Sequence, residues 1–351
     1  MRKEFWSKSS VAVIGGGSWG TVLAKLAAQN CEQVRLWVRD EDQARAMNST
    51  RSNPTYVKEM TIPENVRTFT DIERVFDQGV QAIIWALPAS ACRETARRFA
   101  PLFHGDEMVL HATKGVEEGS MKRISVILAE ELPLARIGVL SGPNLATEIA
   151  RDEPAATVVA SDFLEVVEAG MSLFNTPRFR VYAGDDVIGV EWAGTLKNIY
   201  AIAAGALDAL EFGWNARALL LTRGLAEMVR FGVAMGAKES TFLGLGGAGD
   251  LFATCSSPLS RNYRVGQRLA RGEALDPILS ELGAVAEGVR TAQIISAFAV
   301  ERKIPMPITQ GVFELIRGTT PVNDVLRMLM QRPVGYDASA ELGEFASRRR
   351  T

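Results

Sequence analysis

Three groups of residues in this chain have types and spacings that could do chemistry. Gly15, Gly17 and Gly20 fall on a Gly-x-Gly-x-x-Gly spacing, just after the apolar run Val11–Ile14 and just before a helical stretch, Thr21–Gln29. The first glycine of such a run lets the chain turn, and the second leaves room for a pyrophosphate. The third packs helix on strand, so free N–H groups at the helix start meet the anion. This pattern points to a dinucleotide. Arg39 stands at about the end of the second strand, with Asp40 beside it. A guanidinium there suits a 2′-phosphate and can stack on adenine, whereas a carboxylate suits ribose hydroxyls. The expected cofactor is therefore NADP(H), with NAD(H) also accepted through Asp40.

The second group centres on Lys197, the one formal charge between Trp192 and Leu207. Lysine is rarely buried without a partner. Either its stem carries the ammonium to the surface, or it lines a cleft where desolvation lets it exchange a proton near neutral pH. Asp250 closes the run Gly244-Leu245-Gly246-Gly247-Ala248-Gly249 and reads equally as a helix cap or as a carboxylate orienting that ammonium. The third group is Ser260-Arg261-Asn262, a hydroxyl, a guanidinium and an amide in sequence. These suit phosphate oxygens, but the same trio reads as a helix cap with an exposed arginine. The chain has only two histidines, His104 and His111, and neither is placed as an obvious general base. Ser141 lacks a nucleophile-elbow context.

The elements that must position these residues follow from periodicity. Val34–Val38, Ala82–Leu87, Met108–Thr113, Ile137–Leu140, Ala156–Ala160 and Phe179–Tyr182 read as strands alternating with helices, which indicates a parallel sheet. Ligands in such sheets sit beyond the carboxyl ends of the strands, so Pro88, Lys114 and Ser141–Asn144 should face the cofactor crevice. From Asp186 onward the strand pattern gives way to helical runs: Val187–Leu210, Ala216–Met235, Ser260–Ala270, Gly288–Glu301, Pro307–Ile316 and Pro321–Met330. The expected architecture is α/β. A Rossmann-like, doubly wound domain spans 1–188, an all-α domain spans 189–340, and 341–351 form a solvated tail containing Arg348–Arg350.

Composition narrows the function classes. At 351 residues the chain has room for about two domains. Its 47% hydrophobic and 23% charged residues are ordinary for a soluble protein. A net charge of −2 argues against nucleic acid and requires an anionic ligand to be captured by local cations. Three cysteines without metal-ligand spacing fit a reducing cytoplasm, and no metal site is expected. No signal core precedes the first strand, and no apolar run approaches the ~20 residues of a membrane span.

Taken in order, the glycine run with Ser18 and Trp19, Leu36–Asp40, Ala112–Gly115, Leu140–Pro143, Gly194–Ile199, Asn215–Ala218, Thr222–Met228, Gly249–Leu251, Ser260–Asn262 and Glu287-Gly288 resemble the bacterial NAD(P)-dependent sn-glycerol-3-phosphate dehydrogenases. The likeness runs from about Val11 to Met330. It implies reversible hydride transfer between NAD(P)H and dihydroxyacetone phosphate, giving sn-glycerol 3-phosphate for phospholipid synthesis, in a protein that is often a homodimer. It also implies roles for particular residues. Lys197 is the proton acceptor in the oxidation direction, with Lys114 and Asp250 beside it. Gly142, Asn144, Ser260, Arg261 and Asn262 fall at substrate positions. Ser18, Trp19, Arg39, Lys114, Ala146, Arg261, Val285 and Glu287 fall at cofactor positions. Two departures stand out: Asn144 replaces a usual serine or threonine, and Gly247-Ala248-Gly249 replaces a usual Gly-Leu-Gly.

Two rivals are weaker. Dehydrogenases of 3-hydroxy acids or phosphogluconate place an asparagine one turn after the lysine, where this chain has Ala201; its Asn198 is adjacent instead. A catalytically dead NADPH sensor would be expected to lose Lys197, Asp250 or Arg261, and all three are present.

Overall fold

The computed structural model describes residues 3–332 except 78, 106, 133, 134 and 283–285. The expectations for Val285, for the end of the helical domain and for the tail lie outside the described residues. The chain divides into two compact units, Met1–Glu191 and Trp192–Thr351.

In the first unit the strands are β1 Ser10–Ile14, β2 Gln33–Trp37, β3 Val66–Phe69, β4 Ala82–Trp85, β5 Met108–His111, β6 Arg136–Ser141, β7 Ala155–Ser161 and β8 Phe179–Gly184. Its helices are α1 Lys3–Trp6, α2 Ser18–Ala27, α3 Glu41–Thr50, α4 Ile72–Phe76, α5 Ala89–Phe99, α6 Ile124–Glu131, α7 Ala146–Ala150 and α8 Leu164–Phe174. The strands form one sheet in the order β3-β2-β1-β4-β5-β6-β7-β8. Successive side chains of β1 go to opposite faces: Val11 and Val13 join a core with Val22, Leu23 and Leu36, and Ala12 and Ile14 join one with Trp85 and Phe99. Strands covered on both faces read as continuous apolar runs, which is why β1, β4 and β5 are legible.

The sheet is not wholly parallel as expected. β7 runs antiparallel to β6, and β8 runs parallel to β7. The link between β6 and β7 holds only the five-residue α7, whereas a parallel crossover usually spends a full helix returning to the amino end. Between β7 and β8 the eleven-residue α8 provides that return. Strand β3, absent from the sequence reading, is a short edge strand with Arg67 exposed. The order reverses at β1, which pairs with both β2 and β4, so the glycine run leaves β1 at the topological switch point, where such sheets bind ligands.

The boundary between units falls within α9 (Val187–Ala209). The second unit continues with α10 Trp214–Ala234, α11 Asp250–Ser256, α12 Arg261–Ala270, α13 Leu275–Leu282, α14 Glu287–Glu301, α15 Pro307–Arg317 and α16 Val322–Met330. Helix α13, which carries Pro277, has no counterpart in the sequence reading, and α11 is anticipated only by the reading of Asp250 as a helix cap. The stretch Leu245–Gly249, expected as a loop, is wound into a π-helical turn leading straight into α11. Helices α9 and α12 cross with backbones almost touching: a Cβ on Gly205 would lie 1.9 Å from Tyr263 O, and one on Gly266 would lie 1.8 Å from Ile202 O. That crossing holds the start of α12 at a set place relative to Lys197.

Cys31, Cys92 and Cys255 are all free and buried. Among the described residues, no helix is long and apolar enough to cross a membrane, and no cluster of His, Cys, Asp or Glu could hold a metal.

Candidate active site

The first unit builds a cradle from its glycine run. Gly15 has φ +115, and a Cβ there would lie 2.5 Å from Ala86 O. A Cβ on Gly20 would lie 1.9 Å from Gly15 O, so α2 seats directly on the turn. Gly17 differs: it is the N-cap of α2, and nothing lies within 4 Å of its would-be Cβ. Ser18 and Trp19 begin α2, where the first N–H groups of a helix have no intrahelical acceptor. Trp19 packs against the core.

Two residues that sequence reasoning missed hold this turn. Gly16 O accepts from Gln43 Nε2 at 2.7 Å and from Asn53 Nδ2 at 2.9 Å. Asn53 is fully buried and also donates to Thr21 Oγ1 at 2.8 Å. Arg39 follows β2, and Asp40 caps α3, its Oδ1 accepting from Gln43 N at 2.7 Å. One oxygen of the carboxylate expected at the ribose is thus already engaged.

At the far strands, Lys114 Nζ lies 3.5 Å from Gly142 O, which brings two of the expected substrate residues together. Asn144 is turned toward its own sheet: Nδ2 donates to Ala156 O at 3.0 Å and Oδ1 accepts from Thr157 Oγ1 at 2.9 Å. Ala146 opens α7 and packs against the core. His111 is wholly buried, its Nε2 3.1 Å from Glu191 Oε1. Glu191 also accepts from Arg123 Nη1, Ser125 N and Ser125 Oγ.

In the second unit Lys197 is 6% exposed, so its stem does not carry the ammonium to solvent. Nζ donates to Asp250 Oδ1 and to Thr254 Oγ1, each at 2.6 Å. Thr254 Oγ1 lies 3.2 Å from the same Asp250 oxygen, closing a buried triangle. Asp250 does not cap α11. Gly249 takes that position, and Asp250 begins the helix with its carboxylate on the lysine. Thr254 was missed. Its position four residues after Asp250, on the same face of α11, is the signal that points to it.

Ser260 is the N-cap of α12, its Oγ accepting from Tyr263 N at 3.3 Å. Arg261 follows and is exposed. The Asn262 amide bridges helices: Nδ2 donates to Asn198 Oδ1 at 3.0 Å, and Oδ1 accepts from Gly288 N at 3.0 Å. It thereby fixes the start of α14, whose first residue is Glu287.

Residues 10–167 match the N-terminal part, and residues 186–327 the C-terminal part, of the NAD-dependent glycerol-3-phosphate dehydrogenases. The chain belongs to this family. Glycerol-3-phosphate dehydrogenase (NAD(P)+) of Pseudomonas syringae pv. syringae is 46% identical over 325 residues, covering 93% of this chain and 95% of the relative. The Pseudomonas fluorescens enzyme of the same name is 47% identical over 321 residues, covering 92% and 90%. Among solved structures, glycerol-3-phosphate dehydrogenase from Coxiella burnetii superimposes with a TM-score of 0.88 at 36% identity, covering 93% of this chain and 99% of that one. The Saccharomyces cerevisiae enzyme gives 0.81 at 27% identity, covering 92% and 100%. The glycerol-3-phosphate dehydrogenase fold thus accounts for both units of the chain.

Proposed function

We infer that this protein catalyses the reversible transfer of hydride between NAD(P)H and dihydroxyacetone phosphate, giving sn-glycerol 3-phosphate for glycerophospholipid synthesis. The observation that carries the reading is the buried lysine held by a carboxylate and a hydroxyl, in a chain whose other unit presents an open glycine turn. The turn fits a dinucleotide. Gly15 and Gly20 have no room for a side chain, whereas Gly17 leaves open space at the start of α2, where N–H groups favour a pyrophosphate. Arg39 would take the 2′-phosphate, favouring NADP(H) over NAD(H). Ser18, Trp19, Lys114, Ala146, Arg261, Val285 and Glu287 complete the cofactor set that family likeness suggests. The nicotinamide, when bound, supplies the hydride.

The chain's own residues supply position and charge. Reduction of a ketone builds negative charge on its oxygen, and Lys197 Nζ gives that oxygen a proton. In oxidation the same nitrogen takes the proton from the hydroxyl. Asp250 and Thr254 aim the ammonium and limit the cost of burying it. Arg261 supplies a bidentate fork for the substrate phosphate, and Lys114, Gly142, Asn144, Ser260 and Asn262 complete the substrate set that family likeness suggests. The Asn144 and Asn262 amides are each engaged within their own unit, where they shape the local structure. We assign the units as 1–188 for nucleotide and 189–340 for substrate and catalysis. A homodimer acting in the cytoplasm is the setting that fits the family likeness.

The test is NADPH or NADH oxidation followed at 340 nm with dihydroxyacetone phosphate or unphosphorylated dihydroxyacetone. Turnover should require the phosphate and favour NADPH. Similar kcat/KM for the two ketones would remove the phosphate anchor and the assignment with it.

A further inference from the structure

The Thr222–Met228 run places a carboxylate, Glu227, in the interior of α10, where it is only 2% exposed. A buried carboxylate is costly unless donors surround it. Here Ile308 N donates to Oε1 at 2.6 Å, and Thr309 N and Thr309 Oγ1 donate to Oε2 at 3.2 and 3.1 Å. These are first-turn groups of α15, which has Pro307 at its start and no side-chain cap of its own. Glu227 therefore caps α15 from a neighbouring helix. The next charge along its helix, Arg230, is held by Pro305 O at 2.7 Å. Burial pushes the Glu227 carboxyl up to about 7 against the pull of those N–H donors.

A further donor comes from α9. Tyr200 is fully buried and its hydroxyl donates to Glu227 Oε2 at 3.3 Å. The Tyr200 ring lies over Gly224, one turn before Glu227, where a Cβ would sit 2.9 Å from the ring carbon Cδ1. The glycine and the glutamate of one helix turn thus form a seat for one side chain, the glycine for its ring and the carboxylate for its hydroxyl. Tyr200 is three residues after Lys197, so the two project from adjacent turns of one rigid helix. A long side chain reaches roughly 6 Å from the helix axis, and a rotation of about 10° moves its end about 1 Å. A misplacement of that size can cost on the order of 100-fold in rate.

We propose that Tyr200 and Glu227 are positioning residues for the reaction, locking the rotation of α9 so that Lys197 Nζ meets the reacting oxygen. The proposal rests on the reading of Lys197 as the proton donor. Tyr200→Phe keeps the ring in its seat and removes only the tether; Glu227→Gln keeps the shape and turns an amide donor toward a helix start that needs acceptors. Both variants are compared with the wild type for thermal midpoint, NADPH Kd, KM for dihydroxyacetone phosphate and kcat. Tyr200→Phe should lower kcat about tenfold while KM and NADPH Kd stay within about twofold. In a Lys197→Ala background, Tyr200→Phe should cause no further loss, because nothing is left to position. A lower thermal midpoint with unchanged kcat would show a purely structural role and overturn the proposal, as would an equal kcat loss with and without Lys197. If Lys197→Ala keeps its kcat, the reading beneath the proposal fails instead, and the two failures are told apart by that single variant.

Discussion

The glycine run makes a prediction in which stability and ligand binding separate by position. In Gly20→Ala the new methyl would lie 1.9 Å from Gly15 O. An ordinary carbon–oxygen contact is about 3.3 Å, so α2 must retreat from β1 by about 1.4 Å. Forcing a methyl into packed structure costs roughly 1–3 kcal/mol. For a unit of this size that is a fall of about 2–12 °C in thermal midpoint. In Gly17→Ala nothing lies within 4 Å of the new carbon, and φ is an unstrained −73. The loss of a glycine N-cap should then cost no more than about 1 kcal/mol. The methyl, however, occupies space a pyrophosphate needs, and NADPH binding should weaken at least about tenfold, or ~1.4 kcal/mol. The assay is thermal unfolding with and without NADPH, where the ligand-induced rise reports affinity. Gly20→Ala should start low, and Gly17→Ala should start near the wild type but gain little from NADPH. A Gly17→Ala protein that binds NADPH normally, beside a Gly20→Ala protein with an unchanged midpoint, would refute the reasoning.

Three further outcomes follow from the same geometry. Lys197→Ala should lower kcat by about 10²–10⁴-fold with NADPH Kd unchanged. Asp250→Ala, which strands a buried ammonium, should cost about 3–5 kcal/mol on denaturant unfolding. Arg39→Ala should weaken NADPH at least about tenfold, from the roughly 1.5–3 kcal/mol of a charged hydrogen bond, and leave NADH nearly untouched; equal losses in fluorescence titrations would contradict it. For pH, burial works to raise the Glu191 carboxyl, but His111, Arg123 and Ser125 outweigh it and hold it at about 2, below the ordinary 4.5. A depressed carboxylate contributes stability that is complete above about 4.5 and is lost as pH falls through 2. The thermal midpoint should therefore drop across that window, and Glu191→Gln should flatten part of the drop; an unchanged slope would count against it. Glu117, held low chiefly by its hydrogen bond to Arg93, adds to the wild-type slope in the same range.

What could be read in advance was what leaves a local trace. β1, the turn and α2 each have their own signature within a few residues, so this strand–turn–helix unit was legible. Lys197 was visible as a lone charge in an apolar helix. The partners of these groups are another matter. Asn53 acts on Gly16 across 37 residues, and Thr254 acts on Lys197 across 57, and no short window relates them. The direction of β7 depends on the path of the preceding link, which strand composition does not encode. Asn144 and Asn262 show what a motif leaves out. The letter is the same whatever groups of its own unit the amide engages: Ala156 and Thr157 for Asn144, and Asn198 and Gly288 for Asn262.

The three cysteines also make this chain its own probe of opening motions. Only a thiolate reacts readily, and burial holds the Cys31 thiol up at about 12 and raises that of Cys255 further. Cys92 on α5, at 0% exposure, and Cys255 on α11, at 5%, sit one in each compact unit. A thiol reagent can reach either only when the surrounding structure opens, so its rate of attack measures the free energy of that opening. Cys255 directly follows Thr254, so its labelling times the release of the helix that grips the lysine. Cys92 times the nucleotide half in the same tube, with no engineered label.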